Sequence, residues 1–349
     1  MQAILCGVSA LENLRRNSPL LGGADSRAPK LPERKGPVHV DTPSATTVSD
    51  LVSWGLVSSP SDVHLLVTAN TQRRQLKGVT YTTCSGPFPA GSFERLAGQV
   101  YTVSAELLFL LAARTLPLVR LLELGYELCG TYRLTDGVPA YGRIPLTNVA
   151  HLRAYLNRAT GIHGRKKALR ATQWLVDGSA SPAETALAIV FVLPYRHGGY
   201  GLGGFQLNRS ITLNETAACM LGRSTIRPDF YWPKARYPVE YDSSLYHSGR
   251  EQADYDERRR NAYSAMKMGI TVLRPRHILN FGLMDEAAQV IRKNIGKKPG
   301  RAPTDYTYLK EELRQEAFRY WLGLRDDFGT GDEFALRASS WAEPDCPWV

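Results

Sequence analysis

The sequence predicts an α/β protein in which a small mixed sheet is flanked by helices and is preceded by a separate α+β N-terminal domain. The chain has 349 residues, more than one ordinary core accommodates, so two domains are expected. Apolar residues make up 43% and charged residues 22%, which is the balance of a soluble globular protein. From residue 184 onward short β-rich runs alternate with helical segments, and this alternation predicts the mixed sheet.

The first half of the chain is predicted to mix short strands and helices around one long loop. Ser104 stands directly before an apolar run and is therefore the expected N-cap of a helix. The predicted strands are 62–68, 79–83 and 100–103. The predicted helices are 4–16, 105–114 and 116–128, and the predicted loops are 22–47 and 139–145.

The second half is predicted to hold five strands between its helices. Residues 151–176 favour one long helix, with an interruption near Gly161 and Gly164 as the alternative, and Ser181 with Pro182 is expected to start the next helix. That helix is predicted over 184–193, and the other predicted helices are 251–268, 285–294 and 305–324. The predicted strands are 205–208, 209–213, 226–232, 236–241 and 270–274.

The glycine-rich stretch 198–204 does not run from a strand into a helix, as a phosphate-binding loop does. We therefore expect a flexible loop beside the site rather than a phosphate cradle.

Charge and cysteine usage narrow the range of partners and compartments. Lys and Arg number 43 against 33 Asp and Glu, and the formal charge of +10 suits a polyanion such as nucleic acid, although a basic protein without such a partner has the same excess. The five cysteines are widely separated and form no zinc-binding spacing, so reduced thiols are expected. The longest apolar run, 107–113, cannot cross a bilayer, and the N-terminus lacks a signal-peptide pattern. We expect a cytoplasmic protein with no membrane partner.

The most informative segment is an acidic hairpin around a turn at 233–236. If that turn is symmetric about the Lys234–Ala235 bond, Asp229 lies opposite Glu240, and Asp242 shares the same face. Three carboxylates on one face repel one another, and a divalent cation such as Mg²⁺ or Mn²⁺ relieves that repulsion. The segment predicts a metal site formed by these three residues, with a solvated charged hairpin as the alternative.

Two further residues are candidates for catalysis. His247 follows the hairpin and is suited to general acid–base chemistry near neutral pH, although a lone histidine also serves structural roles. Glu184 opens a helix and is predicted to orient a metal-bound water or hold a second ion. Its alternative role is that of a carboxylate stabilised by the helix dipole or by a cap.

Charged helices supply the remaining candidates. Arg250 and Gln252 are predicted to support the site or touch phosphate, while Asp256 shares a helix face with Gln252 and an ordinary solvated face is the alternative. Lys166 and Arg170 share another helix face and are predicted to contact DNA phosphates, again with a solvated basic face as the alternative. The next residues along the first of these helices, Arg258, Arg259 and Arg260, are predicted to lie on the surface or contact phosphate.

Several spaced elements of residues 177–276 occur in an order known from one nuclease family. They are 177–185 (DGSASPAET), 227–230 (RPDF), 232–233 (WP), 239–242 (VEYD), His247, 250–252 (REQ), 256–259 (DERR), Gly269 and 272–274 (VLR). This stretch resembles the nuclease domain of very-short-patch-repair-like endonucleases. The resemblance implies the PD-(D/E)XK, restriction-endonuclease-like fold.

The resemblance departs from the superfamily pattern at one position, because Asp242 stands where a lysine is usual. The repair branch also departs from that lysine and uses histidine chemistry, which agrees with Asp242 followed by His247. The cysteine and histidine spacing of the repair enzyme's structural zinc is missing here.

The first half resembles, more weakly, regions of AbiEi-type antitoxin-like proteins. The stretches that carry this resemblance are 6–11 (CGVSAL), 63–67 (VHLLV), 103–107 (VSAEL) and 127–130 (ELCG). It implies a recognition or regulatory domain over 1–145. A basic helical connector over 146–176, the nuclease-like domain over 177–298, and a C-terminal helix and tail over 299–349 complete the predicted organisation.

These patterns together predict a Mg²⁺-dependent endonuclease that hydrolyses DNA phosphodiester bonds in phage defence or DNA repair. The alternative is a catalytically weak nuclease fold that binds DNA or regulates a toxin–antitoxin system, with a toxin or defence-system protein as partner. The sequence predicts no oligomeric state and no target sequence.

Overall fold

The computed structural model describes residues 3–17, 20, 41–135, 138–242, 250–319 and 322. The chain divides into two compact units, one of residues 1–175 with 326–349 and one of residues 176–325. Residues 146–175, predicted as a connector, are part of the first unit in this division.

The N-terminal unit is built on a five-stranded mixed sheet. Its strands are β1 (Ala3–Leu5), β2 (Val63–Val67), β3 (Val79–Thr83), β4 (Phe93–Ala97) and β5 (Val100–Val103), in the spatial order β3-β2-β1-β5-β4. The first strand pairs antiparallel with β2 and parallel with β5, so it lies at the centre of the sheet. Every residue of β1 and β2 is buried, as expected for central strands covered on both faces.

Six helices and a small hairpin complete the described part of this unit. The helices are α1 (Gly7–Arg16), α2 (Ala45–Ser53), α3 (Ala105–Ala112), α4 (Leu118–Leu128), α5 (Val149–Arg158) and α6 (Arg165–Ala171), and the hairpin strands are β6 (Arg133–Thr135) and β7 (Val138–Ala140). All of α3 is buried. The predicted cap is confirmed, because the Ser104 hydroxyl accepts the Leu107 amide at 3.3 Å.

Four predictions for the first half need correction. The helix expected from residue 4 begins at Gly7, whose φ of +52° turns the chain out of β1. The loop predicted over 22–47 gives way to α2 at Ala45, and residues 21–40 lie outside the described residues. Strand β7 occupies the start of the loop predicted over 139–145. The edge strand β4 was not predicted, because its polar side chains hide the strand pattern.

The long helix over 151–176 is also wrong, and the interrupted alternative is confirmed. The chain leaves helical geometry between α5 and α6, where Gly161 and Gly164 have φ values of +84° and +91°. Such values favour glycine and end a right-handed helix.

The C-terminal unit contains a four-stranded mixed sheet and a two-stranded ribbon. The strands are β8 (Gln206–Leu207), β9 (Ile211–Thr212), β10 (Thr225–Ile226), β11 (Phe230–Trp232), β12 (Tyr237–Tyr241) and β13 (Thr271–Leu273). The larger sheet has the order β13-β12-β11-β8, and β9 pairs with β10. Strand β11 is antiparallel to both neighbours, while β12 and β13 are parallel.

The described part of this unit has six α-helices: α7 (Pro182–Val192), α8 (Glu215–Leu221), α9 (Arg250–Ala265), α10 (Pro275–Leu279), α11 (Phe281–Asn294) and α12 (Tyr306–Ala317). Two of them, α7 and α9, pack on opposite faces of the larger sheet. On one face Phe230 meets Phe191 of α7 with ring centroids 5.5 Å apart. On the other, Tyr231 belongs to a buried cluster with Ala262 and Tyr263 of α9. The class predicted from the sequence, α/β with mixed sheets flanked by helices, is therefore confirmed.

The sequence misplaced several elements of this unit. Helices α8 and α10 were not predicted, and α9 ends at Ala265, shortly before Lys267 takes a φ of +54°. Helix α11 begins at Phe281, before the predicted start at residue 285, and α12 ends at Ala317.

The glycine-rich stretch 198–204 is a loop that leads into β8 and does not run from a strand into a helix, as expected from the sequence. A Cβ at Gly198 would lie 2.0 Å from the carbonyl oxygen of Leu309, and one at Gly199 would lie equally close to that of Leu193. These two glycines therefore allow close backbone approach.

Among the described residues, no helix has the length and apolar character needed to cross a bilayer.

Candidate active site

The acidic hairpin has the predicted register. Phe230 pairs with Val239 and Trp232 with Tyr237, so the turn is symmetric about the Lys234–Ala235 bond. Continuing this register by one residue places Asp229 opposite Glu240.

Asp229 fastens the hairpin at its open end. Its Oδ2 accepts the backbone N–H of Tyr241 at 2.7 Å, and its backbone carbonyl accepts the N–H of Asn208 at 3.0 Å. The side chain thus joins β11 to β12 while its backbone holds the segment after β8. No described residue donates a hydrogen bond to the other carboxylate oxygen, Oδ1.

Glu184 enters the site from the start of α7. Ser181 is the N-cap, and its hydroxyl accepts the Glu184 amide at 3.2 Å. The Glu184 carboxylate accepts hydrogen bonds from the Ala180 amide, the Ser181 hydroxyl and the Asn208 side chain. Burial raises the pKa of Glu184, and these three hydrogen bonds offset only part of that effect. The capping role weighed from the sequence is therefore present, whatever else Glu184 does.

Glu240 is held from the other side by α9. Its Oε1 accepts the Arg259 Nε at 2.7 Å and the Tyr263 hydroxyl at 2.6 Å, and it also accepts Arg259 Nη2. Burial lowers the pKa of Arg259, but the hydrogen bonds and charge of Glu240 outweigh burial and raise it. All three donors converge on Oε1, so Oε2 receives no hydrogen bond from the described residues.

Burial and two neighbouring carboxylates make Asp229 unusually hard to ionise. Burial and then the charge of Glu184 raise the pKa of Asp229 to about 7, with Glu240 adding to the rise. The Tyr241 hydrogen bond and the Arg259 charge act in the opposite direction and lower that pKa. Asp229, Glu184 and Glu240 therefore form one electrostatic cluster with an excess of negative charge.

Asp242 is engaged elsewhere. It continues the parallel pairing by donating its N–H to the Leu273 carbonyl at 2.9 Å. Its Oδ2 lies 3.5 Å from Nε of Arg274, a half-exposed partner. Asp242 is therefore a carboxylate that is paired with an arginine.

The donor set bears directly on a metal ion. Within the described residues, no group of three or more His, Cys, Asp or Glu side chains is arranged to hold one. Mg²⁺ in proteins often takes only one or two carboxylates, with water and phosphate completing its coordination. Asp229 Oδ1 and Glu240 Oε2 are two carboxylate oxygens without a donor among the described residues, and they are the type of ligand that such a site uses.

The structure gives no further site contact for the other predicted residues, within the part of the chain that it describes. His247 and the side chains of Arg250 and Gln252 lie outside the described residues. Lys166 and Arg170 are exposed on α6 of the N-terminal unit, where both the phosphate-binding and the solvated alternatives stay open.

Asn208, Arg259 and Tyr263 were missed as site residues by the sequence. Asn208 has a φ of +51° and links the Glu184 carboxylate to the Gly178 carbonyl. Arg259 was grouped with its exposed neighbours as a surface residue, yet it is partly buried against Glu240. The signal available was helical spacing, because Arg259 lies one turn before Ala262 and Tyr263, which face the core.

Exposed arginines lie close in sequence to the residues of the acidic cluster. Arg227 precedes Asp229 by two residues, and its charge acts on Glu184. Arg223, Arg258 and Arg260 are likewise exposed. Cations beside a carboxylate cluster are what a phosphate-bearing substrate requires.

Comparisons with known proteins found no match for this chain among family models, curated proteins or solved structures.

Proposed function

We propose that this protein is a divalent-metal-dependent endonuclease that hydrolyses phosphodiester bonds in DNA, and that residues 177–298 form its restriction-endonuclease-like domain. The observation that carries this proposal is the cluster of Asp229, Glu184 and Glu240. In this cluster Asp229 Oδ1 and Glu240 Oε2 receive no hydrogen bond from the described residues. The order of helix, hairpin, helix and parallel strand agrees with the fold that the resemblance implies.

Asp229 Oδ1 and Glu240 Oε2 are the atoms that would hold Mg²⁺ or Mn²⁺. A bound divalent ion supplies an activated water and draws charge from the phosphate. The protein's own contribution is positional: the Tyr241 amide fixes Asp229, and Asn208 holds Glu184 next to it. Glu184, held at the helix start, would orient the water that attacks the phosphate.

The choice of DNA rests on charge. The chain has a formal charge of +10, and the arginines at 223, 227, 258 and 260 are exposed around the acidic hairpin. These cations would bind the phosphates on either side of the bond to be cut. Such phosphate contacts carry no sequence information. DNA repair and phage defence are the two settings in which such an activity is expected.

The decisive experiment compares plasmid nicking by wild-type protein and by Asp229→Asn, with and without Mg²⁺ or Mn²⁺. The amide keeps the shape and can still accept the Tyr241 N–H, but it removes the charge that holds the ion. We expect divalent-dependent nicking by the wild type and a loss of at least about a hundredfold in the variant.

Asp254→Asn is the matched control, because Asp254 is exposed on α9 and lies outside the acidic cluster. It should nick plasmid at the wild-type rate. Equal nicking by wild type and Asp229→Asn would place the activity outside this site or in a contaminant.

A second candidate is a catalytically silent nuclease fold that binds DNA or regulates a toxin or defence-system protein. The observation that favours it is the pairing of Glu240 with Arg259 and of Asp242 with Arg274. Position 242, where the resemblance implies a lysine, therefore carries an aspartate that is paired with an arginine. If wild type nicks no DNA or RNA yet binds duplex DNA in a salt-dependent way, this second candidate replaces the first.

A further inference from the structure

The side chain of Arg259 bridges the two arms of the acidic hairpin. Its Nε and Nη2 bind Glu240 on β12, and Nη2 also donates to the Arg227 carbonyl at 2.9 Å. Arg227 stands two residues before Asp229. One guanidinium therefore fixes the strand that carries Glu240 and the segment that leads into Asp229.

We propose that Arg259 is a positioning residue of this site, which clamps Glu240 and the Asp229 segment together and supplies the fixed cation that position 242 does not provide. The proposal rests on the proposed function for its catalytic consequence. A planar guanidinium is suited to the role, because it donates in several fixed directions at once.

The surroundings of Arg259 support a fixed role rather than a mobile phosphate contact. Its side chain is 21% exposed, while Arg258 and Arg260 on either side are exposed. Tyr263 stands one helical turn later and donates its hydroxyl to the same Glu240 oxygen, so two side chains of α9 hold that carboxylate. Both therefore hold the carboxylate through its Oε1 atom.

The test is Arg259→Gln beside Arg260→Gln as the matched control, with kcat and KM measured on a DNA substrate. The second readout is hydrogen exchange of the Tyr241 amide, which is bonded to Asp229 Oδ2 and reports whether the hairpin end is held. We expect Arg259→Gln to lower kcat about a hundredfold, to change KM by no more than about twofold, and to accelerate exchange at Tyr241.

The control should behave differently, because an exposed arginine acts on phosphate binding. Arg260→Gln is expected to raise KM and to leave both kcat and Tyr241 exchange at wild-type values. The proposal is overturned if Arg259→Gln changes only KM, as its neighbour does, or if it leaves Tyr241 exchange unchanged.

A conservative variant covers the case in which Arg259→Gln does not fold. Arg259→Lys keeps the charge but cannot reach Glu240 and the Arg227 carbonyl with one planar group. It should lower kcat and accelerate Tyr241 exchange relative to wild type, and a lysine variant equal to wild type in both readouts contradicts the clamp.

Failure of the underlying function is distinguishable from failure of the clamp. If the wild type cleaves no nucleic acid, the endonuclease is wrong, while faster Tyr241 exchange in Arg259→Gln still supports the clamp.

Discussion

The two units of this protein treat a buried glutamate and a partly buried aspartate in opposite ways. In the N-terminal unit, Arg15 binds both oxygens of Glu127 at 2.7 Å, and the Leu134 amide donates to one of them. Burial alone would raise the pKa of Glu127, but the charge and hydrogen bonds of Arg15, the charge of Arg133 and the Leu134 amide together outweigh burial and lower that pKa. In the C-terminal unit, burial and neighbouring carboxylates raise the pKa of Asp229 to about 7.

The difference separates a structural carboxylate from a functional one. Both carboxylate oxygens of Glu127 accept hydrogen bonds within the fold, so the carboxylate needs no cation from a ligand. Asp229 has only a backbone hydrogen bond, two like charges nearby, and an arginine that is bound to another carboxylate. A group held in so unfavourable a state is typical of sites that complete themselves with a cation or a substrate.

The largest test converts the satisfied carboxylate into an unsatisfied site. Glu127→Gln leaves Arg15 buried without an anion, and breaking such a buried pair costs about 3–5 kcal/mol. We expect the urea midpoint to fall accordingly. Glu12→Gln, which removes the exposed ion pair with Arg16, should cost less than about 1 kcal/mol, and a similar loss in both variants would contradict the comparison.

The next test concerns pH and compares Asp229 with its amide. The pKa of Asp229 is higher in the folded protein than in the unfolded chain, so the folded state binds more protons between about pH 4 and 7, and stability contributed at low pH is lost as the pH rises. In EDTA, Asp229→Asn should therefore gain on the order of 1 kcal/mol relative to wild type between pH 5 and pH 8.

The contribution of Glu127 to stability depends on pH in the opposite direction to that of Asp229. Its pKa is lowered by folding, so its contribution is complete above the unfolded value of about 4.3 and is lost as the pH falls through the folded value. A stability difference between wild type and Asp229→Asn that is constant from pH 5 to pH 8 would mean that Asp229 is an ordinary carboxylate.

The smallest expected change in stability belongs to exposed cations that contact neither Glu127 nor Asp229. Replacing Lys166 and Arg170 by Gln should change stability by less than about 0.5 kcal/mol. If these residues bind phosphates, the slope of log affinity for duplex DNA against log salt should flatten by about one for each phosphate that the variant no longer neutralises. Lys298→Gln is the control, and equal slopes in wild type and double variant would assign the basic face of α6 to solvent.

The hairpin could be predicted because its information is local. A turn of Pro233 to Arg236 between two β-rich runs fixes the register, and the period of two then fixes which carboxylates face each other. The helix cap at Ser181 was accessible for the same reason.

The partners of those carboxylates could not be predicted because they depend on tertiary packing. Asn208 reaches Glu184 only because its backbone takes a positive φ, which its neighbours in sequence do not signal. Arg259 looks like its exposed neighbours in sequence, and only the packing of α9 on the sheet distinguishes it. Strand β1 was merged into a helix, because three apolar residues have no resolvable period.

The joint hold of Arg259 and Tyr263 on one carboxylate makes the length of α9 more important than most of its composition. The two residues reach Glu240 from successive turns, so they must stay in phase with the sheet. One residue inserted ahead of Arg259 would rotate both side chains by about 100° and release the carboxylate. Substitutions at the exposed positions 254, 257 and 258 leave the phase intact. This helix can therefore accept many changes of residue type on its outer side, but not a change of one in its residue count.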